Sequence, residues 1–560
     1  MARSTNGDPA SPLARGAKIV LMGALIGRME ADRTTIAVAP GEALDARPRL
    51  FAALQEAFPV AFTPWRADMG GVEAVLVVAS AGAPLPTSDE LAHYGVPVLA
   101  VASDAVTSGS TQAVELLDVA AVDRRVRGIV VTDPLTAAPG GHAGEGEQTL
   151  AAVGATAAWT RTSAPHAIHR VRSSLPELEA DQVLYAQLSQ RPLTIIALLQ
   201  FLRELTAPSG WRPPPLRAAI VFDDPNLRWR SYGFIDYREL LAHAERHGYH
   251  AAMAMIPLDA RRPHAETQSL FASRPDRLSL VFHGNDHVKG ELMAPRDRGT
   301  ALAMVAQALR RIERFERRSG LRVDRIMMPP HGLCSRHVTA ALGALRFDGL
   351  CAIHPLPWTD RPPSDPPLAG WEPAQFVAGC PVVPRIPLSS SAADIALTAL
   401  LDQPLVLYGH HEDVAEGLEP LAEAAAMVNR LGDARWMSVG EIAATNYALR
   451  VTASSAVIRP FARRVRVELP QGITSLTVES PRDATDAGAL VGWASGSGAP
   501  HPFAAPAPAR ERSVELRLVG RRDLEVDDVP VPAWRPWPQV RRAATEARDR
   551  ALPLRAARVR

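Results

Sequence analysis

Short apolar runs alternate with amphipathic helical stretches along most of this chain, and the character of the alternation changes twice. From Lys18 to about Ser189, the runs Ile19–Leu25, Thr35–Ala39, Ala74–Ala79, Val96–Ala102 and Gly128–Thr132 read as buried strands, with Arg47–Phe58 and Asp89–Tyr94 as helices between them. Strands alternating with helices predict a parallel α/β sheet. Residues 1–17 are polar and rich in Ala, Ser and Pro, and read as a disordered arm ahead of a first domain over 18–190. Pro192–Ala207 is an apolar helical stretch running into Ser209-Gly210-Trp211-Arg212-Pro213-Pro214-Pro215. Proline cannot continue a helix, so 191–215 reads as a helix and a Pro-rich linker. The α/β alternation then resumes over 216–447, with strands Ala218–Phe222, His250–Pro257, Leu278–Phe282, Ile326–Met328, Gly349–Ile353 and Leu405–Tyr408 and helices Ile235–His247, Gly299–Arg318 and Ser335–Arg346. Asp360–Pro387 reads as a Pro-rich loop. Beyond Val451 the period falls to two, in Arg464–Leu469, Thr474–Glu479, Ser513–Val519 and Leu524–Val529, which predicts a small antiparallel β-sandwich over 448–534. Residues 535–560 form an Arg-rich tail.

Composition narrows the function classes. The 560 residues carry a net charge of +1, so no global basic field points to nucleic acid. Cys334, Cys351 and Cys380 contain no CxxC pair and make no disulfide framework, and they read as buried thiols. The first domain loosely resembles flavodoxin-like or amidotransferase-like α/β folds, yet no GxGxxG or Walker A sequence follows its strands and it has no cysteine nucleophile. It reads as a binding, docking or degenerate domain. No apolar run approaches the ~20 residues of a spanning helix and no secretory pattern opens the chain, so a cytoplasmic protein is expected. The tail reads as solvated, with weak contact to an anionic membrane surface or a protein as the alternative.

The candidate chemistry lies where the strands of the middle region end. One strand ends in Asp223-Asp224-Pro225-Asn226, a second in His283-Gly284-Asn285-Asp286-His287, a third in Pro329-Pro330-His331-Gly332 and the last in His410-His411-Glu412-Asp413. In a β/α barrel the C-terminal strand ends converge on one face, where active sites sit. His283 and His287 are spaced i, i+4, and a carboxylate from another strand would complete a two-His-one-carboxylate metal set with open positions. Taken singly, the Asp pair also suits a cap or turn, and the His pair suits ordinary surface or core positions.

These segments together resemble the NodB-type polysaccharide deacetylase family, carbohydrate esterase family 4, over roughly residues 216–447. The resemblance implies a distorted (β/α) barrel in an α/β multidomain chain, flanked by the N-terminal parallel α/β domain and the C-terminal β-sandwich. It implies Asp224, His283 and His287 as ligands of a divalent metal, zinc first and cobalt, nickel or manganese as alternatives. It implies Asp223 as general base and His410 as general acid, with His411 as the neighbouring alternative. Asn226, Pro330, His331 and Trp358 are the expected substrate contacts, and the substrate is a carbohydrate or another acylated amine. The reaction implied is removal of an acyl group, N-acetyl in the first instance, from an amino sugar or glycan.

Four positions depart from the family pattern. Met328 stands where an arginine usually orients the catalytic aspartate. The fourth motif keeps Trp358 in Ile353-His354-Pro355-Leu356-Pro357-Trp358 but has no aspartate. Gly284 replaces a Ser or Thr, and Pro225-Asn226 replaces Gly-Pro. Lost outer-shell partners weaken metal sites, so a second reading stands beside the first: a catalytically degenerate barrel that retains metal and binds glycan or regulates. A glycosidase needs two carboxylates across a cleft, and adjacent Asp223 and Asp224 do not supply them.

Overall fold

The computed structural model describes residues 33–559 except 81, 104–110, 136–143, 145, 164, 179–189, 354–369, 484–485, 487, 497 and 534, with backbone only from 554 onward. The expected arm, the strand at Ile19–Leu25 and Trp358 lie outside the described residues.

The first sheet has nine strands: β1 (Thr34–Ala39), β2 (Val60–Pro64), β3 (Ala74–Val78), β4 (Val98–Ala102), β5 (Gln112–Leu116), β6 (Val130–Asp133), β7 (Gln148–Val153), β8 (Thr156–Thr162) and β9 (Ile168–Ser174), in the order β2-β1-β3-β4-β9-β8-β7-β5-β6. The half from β2 to β9 pairs in parallel, as the apolar runs predict. The half from β9 to β6 is an antiparallel meander, which the all-parallel reading did not foresee. Strands β5 and β6 alternate buried and exposed side chains, as a half-covered antiparallel edge should. The helix Pro192–Thr206 is no exposed tether, because Leu193 to Leu202 are buried in the core of this first domain.

The middle region closes into a seven-stranded parallel barrel. Its strands are β10 (Arg217–Asp223), β11 (Ala251–Met255), β12 (Leu278–His283), β13 (Asp324–Met328), β14 (Gly349–Ile353), β15 (Cys380–Pro387) and β16 (Leu405–Gly409), each paired with the next, and β16 and β11 both pair with β10. Strand β15 corrects the Pro-rich-loop reading of Asp360–Pro387. Pro381, Pro384 and Pro387 hide a strand in the sequence. In the barrel the pairing with β16 covers only Ile386 and Pro387, so Pro381 and Pro384 interrupt no ladder on that side, while on the other Pro384 stands opposite Ala352 of β14.

Alternation along each strand sorts the side chains. Ala218, Ile220 and Phe222 of β10 pack outward under the helices, while Ala219 and Val221 face the interior with Val281, Met328, Val383 and Val406. The same period carries Asp223, His283, Arg385 and Tyr408 to the inner side, one step further up their strands. The interior cluster runs on below into Val439, Ile442 and the C-terminal domain. Gly440 donates to Asp324 at 2.9 Å and Arg464 pairs with Asp348 at 2.8 Å, so this domain covers the N-terminal strand ends.

The C-terminal domain is a two-sheet sandwich of mixed pairing rather than a purely antiparallel one. One sheet joins Trp211–Arg212, Tyr447–Thr452, Ser455–Pro460, Ser475–Val478 and Ala507–Pro508, with Ser455–Pro460 parallel to Ser475–Val478. The other joins Arg464–Glu468, Ser513–Gly520 and Leu490–Ser495. Leu524–Val529 is not a strand: its centre, Val526–Asp528, is a 3-10 turn whose ends are held against the barrel by Arg310. The Arg-rich tail forms a helix, Trp537–Val559, that returns to the barrel. Among the described residues no helix is long and apolar enough to cross a membrane.

Candidate metal centre and active site

The three expected ligands meet at the C-terminal mouth of the barrel. Asp224, His283 and His287 offer ligand atoms that all lie within 4.8 Å of one another. Asp224 Oδ1 lies 3.1 Å from His287 Nε2 and 3.6 Å from His283 Nε2. Adjacent Asp223 and Asp224 are separated not by extended-strand alternation but by a turn: Asp224 has φ 82°, in the left-handed region. His287 (φ 54°) and His331 (φ 60°) share that region. Non-glycine residues pay of order 1–3 kcal/mol for it, and such strain collects where surrounding structure imposes a functional geometry.

The donor set fits a divalent cation. His283 Nδ1 lies 3.2 Å from the Met328 carbonyl oxygen, a contact that places the ring proton there and leaves the Nε2 lone pair toward Asp224. Burial holds the His283 imidazole well below its ordinary pKa, against the opposing pull of Asp224. Burial lowers His287 in the same way. Asp224 Oδ1 is itself buried and has no hydrogen-bond donor among the described residues. A carboxylate oxygen without a donor, faced by neutral imidazoles, is costly unless a cation completes the site.

The loop that carries the two histidines is braced from beneath. Buried Glu291 accepts the backbone N–H groups of Asn285 at 2.7 Å and Asp286 at 2.8 Å. Arg311 donates to Asn285 and Asp286 from the following helix. This explains Gly284. At φ 62°, a Cβ there would lie 2.0 Å from Glu291 Oε1 and 2.6 Å from Pro330 Cγ, so the Ser or Thr of the family pattern has no room.

Asp223 sits inside the barrel, 2% exposed. Arg385 Nη1 donates to both of its carboxylate oxygens at 3.0 Å, Nη2 reaches the Pro329 carbonyl at 3.3 Å, and the guanidinium lies over the Tyr408 ring at 4.2 Å. The arginine missing at Met328 is thus matched by one from β15. Sequence reading missed it because β15 was taken for a loop. An arginine at alternating spacing with Val383 was the available signal.

The remaining expected residues take different places. His410, just past the end of β16, is exposed. His411 is buried, with Tyr232 and Phe234 at ring-centroid distances of 5.6 and 5.8 Å. Asp413 accepts the His410 backbone N–H at 2.7 Å and so acts as a cap. His331 is exposed, its ring 5.3 Å from that of His287, while Pro330 is buried beneath. Asn226 is fully buried: Oδ1 accepts the Arg228 N–H at 3.2 Å, and Nδ2 has no acceptor among the described residues.

The tail helix lies over this mouth, which sequence reading also missed. Arg542 pairs with Asp259 at 2.7 Å, Glu546 with Arg228 at 2.6 Å, and Tyr232 donates to Asp549 at 2.9 Å. Arg542, Glu546 and Asp549 are all buried, at i, i+4 and i+7 on one helix face. A solvated tail and a tail on a membrane both give way here to a helix docked by charge.

No family model matches the chain, and no curated protein matches it. Among solved structures it is similar to Agd3, a novel carbohydrate deacetylase, at 10% identity and TM-score 0.44 over 87% of this chain and 98% of that one. It is also similar to a family 4 carbohydrate esterase from Streptomyces lividans in complex with acetate, at 14% identity and TM-score 0.22 over 39% of this chain and 86% of that one. A Streptococcus mutans CE4 esterase is similar at 12% identity and TM-score 0.23, over 40% of this chain and 86% of that one.

Proposed function

We propose that the chain is a metal-dependent hydrolase that removes an acyl group, acetyl in the first instance, from an amino sugar of a glycan. The observation that carries this reading is the Asp224–His283–His287 cluster standing beside an inward carboxylate, Asp223, that a buried arginine orients. Asp224, His283 and His287 would hold the metal. A divalent cation, zinc by its liking for two imidazoles and a carboxylate, supplies acidification of water and polarisation of an acyl oxygen.

The chain's own groups divide the proton work. Asp223, held by Arg385 through both oxygens, takes the proton of the attacking water. Its orientation is set by the protein, so little reorganisation is needed during reaction. His410, exposed at the mouth, donates a proton to the departing amine, a task suited to an imidazole near neutral pH. His411 is packed among aromatic rings and serves that role less well. His331, exposed beside His287, is the proposed substrate contact, with Pro330 shaping the floor beneath it, whereas Asn226, expected as a further contact, is fully buried and shapes its loop from within.

A metal-retaining barrel without turnover is the alternative. Arg385 weighs against it, since it fixes both oxygens of a carboxylate that stands beside the cluster without being one of its ligands, the placement a general base needs. Metal analysis of the purified protein, with acetate release from N-acetylated oligosaccharides measured in parallel, tests the choice. Stoichiometric metal with acetate release supports the hydrolase. Metal without release from any N-acylated sugar refutes it.

A further inference from the structure

The tail helix brings a set of arginines to the mouth of the barrel. The helix docks through Arg542–Asp259, Glu546–Arg228 and Tyr232–Asp549, all on loops that follow β10 and β11, the strands bordering the metal cluster. Arg550 adds a cation–π contact over Trp229 at 5.1 Å. The buried face of the helix is therefore ionic, with each charge consumed by a partner. Arg541 is the exception. It sits one residue from the docked Arg542, is partly buried, and its Nε is shielded from solvent with no hydrogen-bond partner.

Three further cations line the same rim. Arg261 and Arg262 follow Asp259 directly and are exposed, and Lys289, also exposed, lies two residues after His287. Among the described residues, none of these four side chains makes an ion pair or a side-chain hydrogen bond. The acids of this face are engaged elsewhere: Asp259, Glu546 and Asp549 by the helix lock, Asp286 by Arg311 and Glu266 by Arg230 and Arg238. Glu412, 53% exposed, and Asp413, which accepts the His410 backbone N–H, are acids of this face without an arginine partner among the described residues. A cleft lined with uncompensated charge of one sign, over low-dielectric walls, concentrates ligands of the opposite sign.

We infer that the C-terminal helix is a wall of the substrate cleft, and that Arg541 on it, with Lys289, Arg261 and Arg262 from the barrel loops, selects a glycan bearing an anionic group, carboxylate or phosphodiester, beside the acylated sugar. The inference rests on the deacetylase reading for the reaction but not for the binding. An arginine without an acid partner offers the planar, charge-assisted contact that carboxylate and phosphate accept. A neutral sugar offers hydroxyl and amide oxygens to it but no charge.

The test uses the metal-loaded full chain and three probes: a tetrasaccharide of N-acetylglucosamine alternating with a uronic acid, a phosphodiester-linked N-acetylglucosamine oligomer, and neutral chitotetraose. Calorimetry gives binding, and acetate release gives kcat/KM. At low salt, one or both anionic probes should bind about 10- to 100-fold more tightly than the neutral one, and whichever gains identifies the anion. Raising the salt should shrink the margin. Arg541→Gln should cut the preference about tenfold, with Arg541→Lys restoring part of it. Equal binding of all three probes, binding of none, or a preference unmoved in Arg541→Gln overturns the inference. Anion preference without acetate release from any probe refutes the deacetylase reading and leaves the anion site. Acetate release without preference does the reverse.

Discussion

Replacing Arg385 with methionine should both destabilise the barrel and silence it. The Arg385 and Asp223 side chains are 1% and 3% exposed, and one guanidinium nitrogen holds both carboxylate oxygens at 3.0 Å. Two unit charges about 4 Å apart interact by about 4 kcal/mol at an effective dielectric of 20. Breaking a buried pair by removing one partner costs about 3–5 kcal/mol, because the survivor is left uncompensated. At about 2–4 °C per kcal/mol for a unit of this barrel's size, Arg385→Met should melt about 10 °C below wild type. Methionine is unbranched and fills the space over Tyr408, so the loss is one of charge pairing more than volume. The double variant Asp223→Asn/Arg385→Met removes both charges and should recover most of the melting temperature, giving a coupling of several kcal/mol in the cycle. Acetate release should fall by about 100-fold or more in Arg385→Met, since the carboxylate loses the group that aims it. Circular dichroism melts of the four proteins, alongside kcat/KM, check this. A single variant that melts within about 2 °C of wild type, or one that keeps its turnover, would show that the pair neither stabilises the barrel nor positions the base.

Three other outcomes follow from the same geometry. His283→Ala, His287→Ala and Asp224→Ala should each weaken metal retention roughly 100-fold or more, whereas Asp223→Ala should keep the metal and lose turnover; equal metal loss in Asp223→Ala and Asp224→Ala, by elemental analysis, would show these roles misassigned. Gly284→Ser should cost about 2–4 kcal/mol in thermal melts, because its Cβ meets Glu291 and Pro330 at φ 62°, and a neutral substitution would mean that the loop yields freely. His250, whose Nδ1 and Nε2 meet the Asp276 carbonyl and Ser279 Oγ, is pushed down by burial to about 4. Above about pH 6.5 both states are neutral there, and between about 6.5 and 4 only the unfolded chain takes up the proton, so stability falls by about 3 kcal/mol as pH drops through that window. His250→Gln should flatten the fall in acid titrations of the melting temperature, and an unchanged slope would count against it.

The middle domain was legible where apolar runs were clean. Strands β10, β12, β13, β14 and β16 lie within a residue or two of their expected bounds, because buried parallel strands flanked by helices are the plainest of periodic signals. Strand β15 was not, since proline is a loop signal by default and its tolerance depends on a ladder that only the fold reveals. The antiparallel half of the first sheet was hidden similarly, as short strands with alternating burial give no sign of whether a helix or a turn returns the chain. Of the site, Asp224, His283 and His287 were visible through their spacing and their positions at strand ends. The tail helix was not, because its docking face is Arg542, Glu546 and Asp549, and charged residues at i, i+4 and i+7 look like a solvated surface until their partners are known.

The departures from the family pattern make physical sense once the supporting residues are seen as interchangeable in origin but not in chemistry. A carboxylate buried inside a barrel needs donors to hold it, yet nothing requires them to stand on a neighbouring strand end. Arg385 enters from β15, next but one to β10 in the barrel, and holds Asp223 from there, while the Met328 carbonyl accepts the His283 ring proton. The same logic turns Gly284 from a loss into a requirement, because a buried carboxylate, Glu291, has taken over the bracing of the histidine loop and occupies the space a side chain would need.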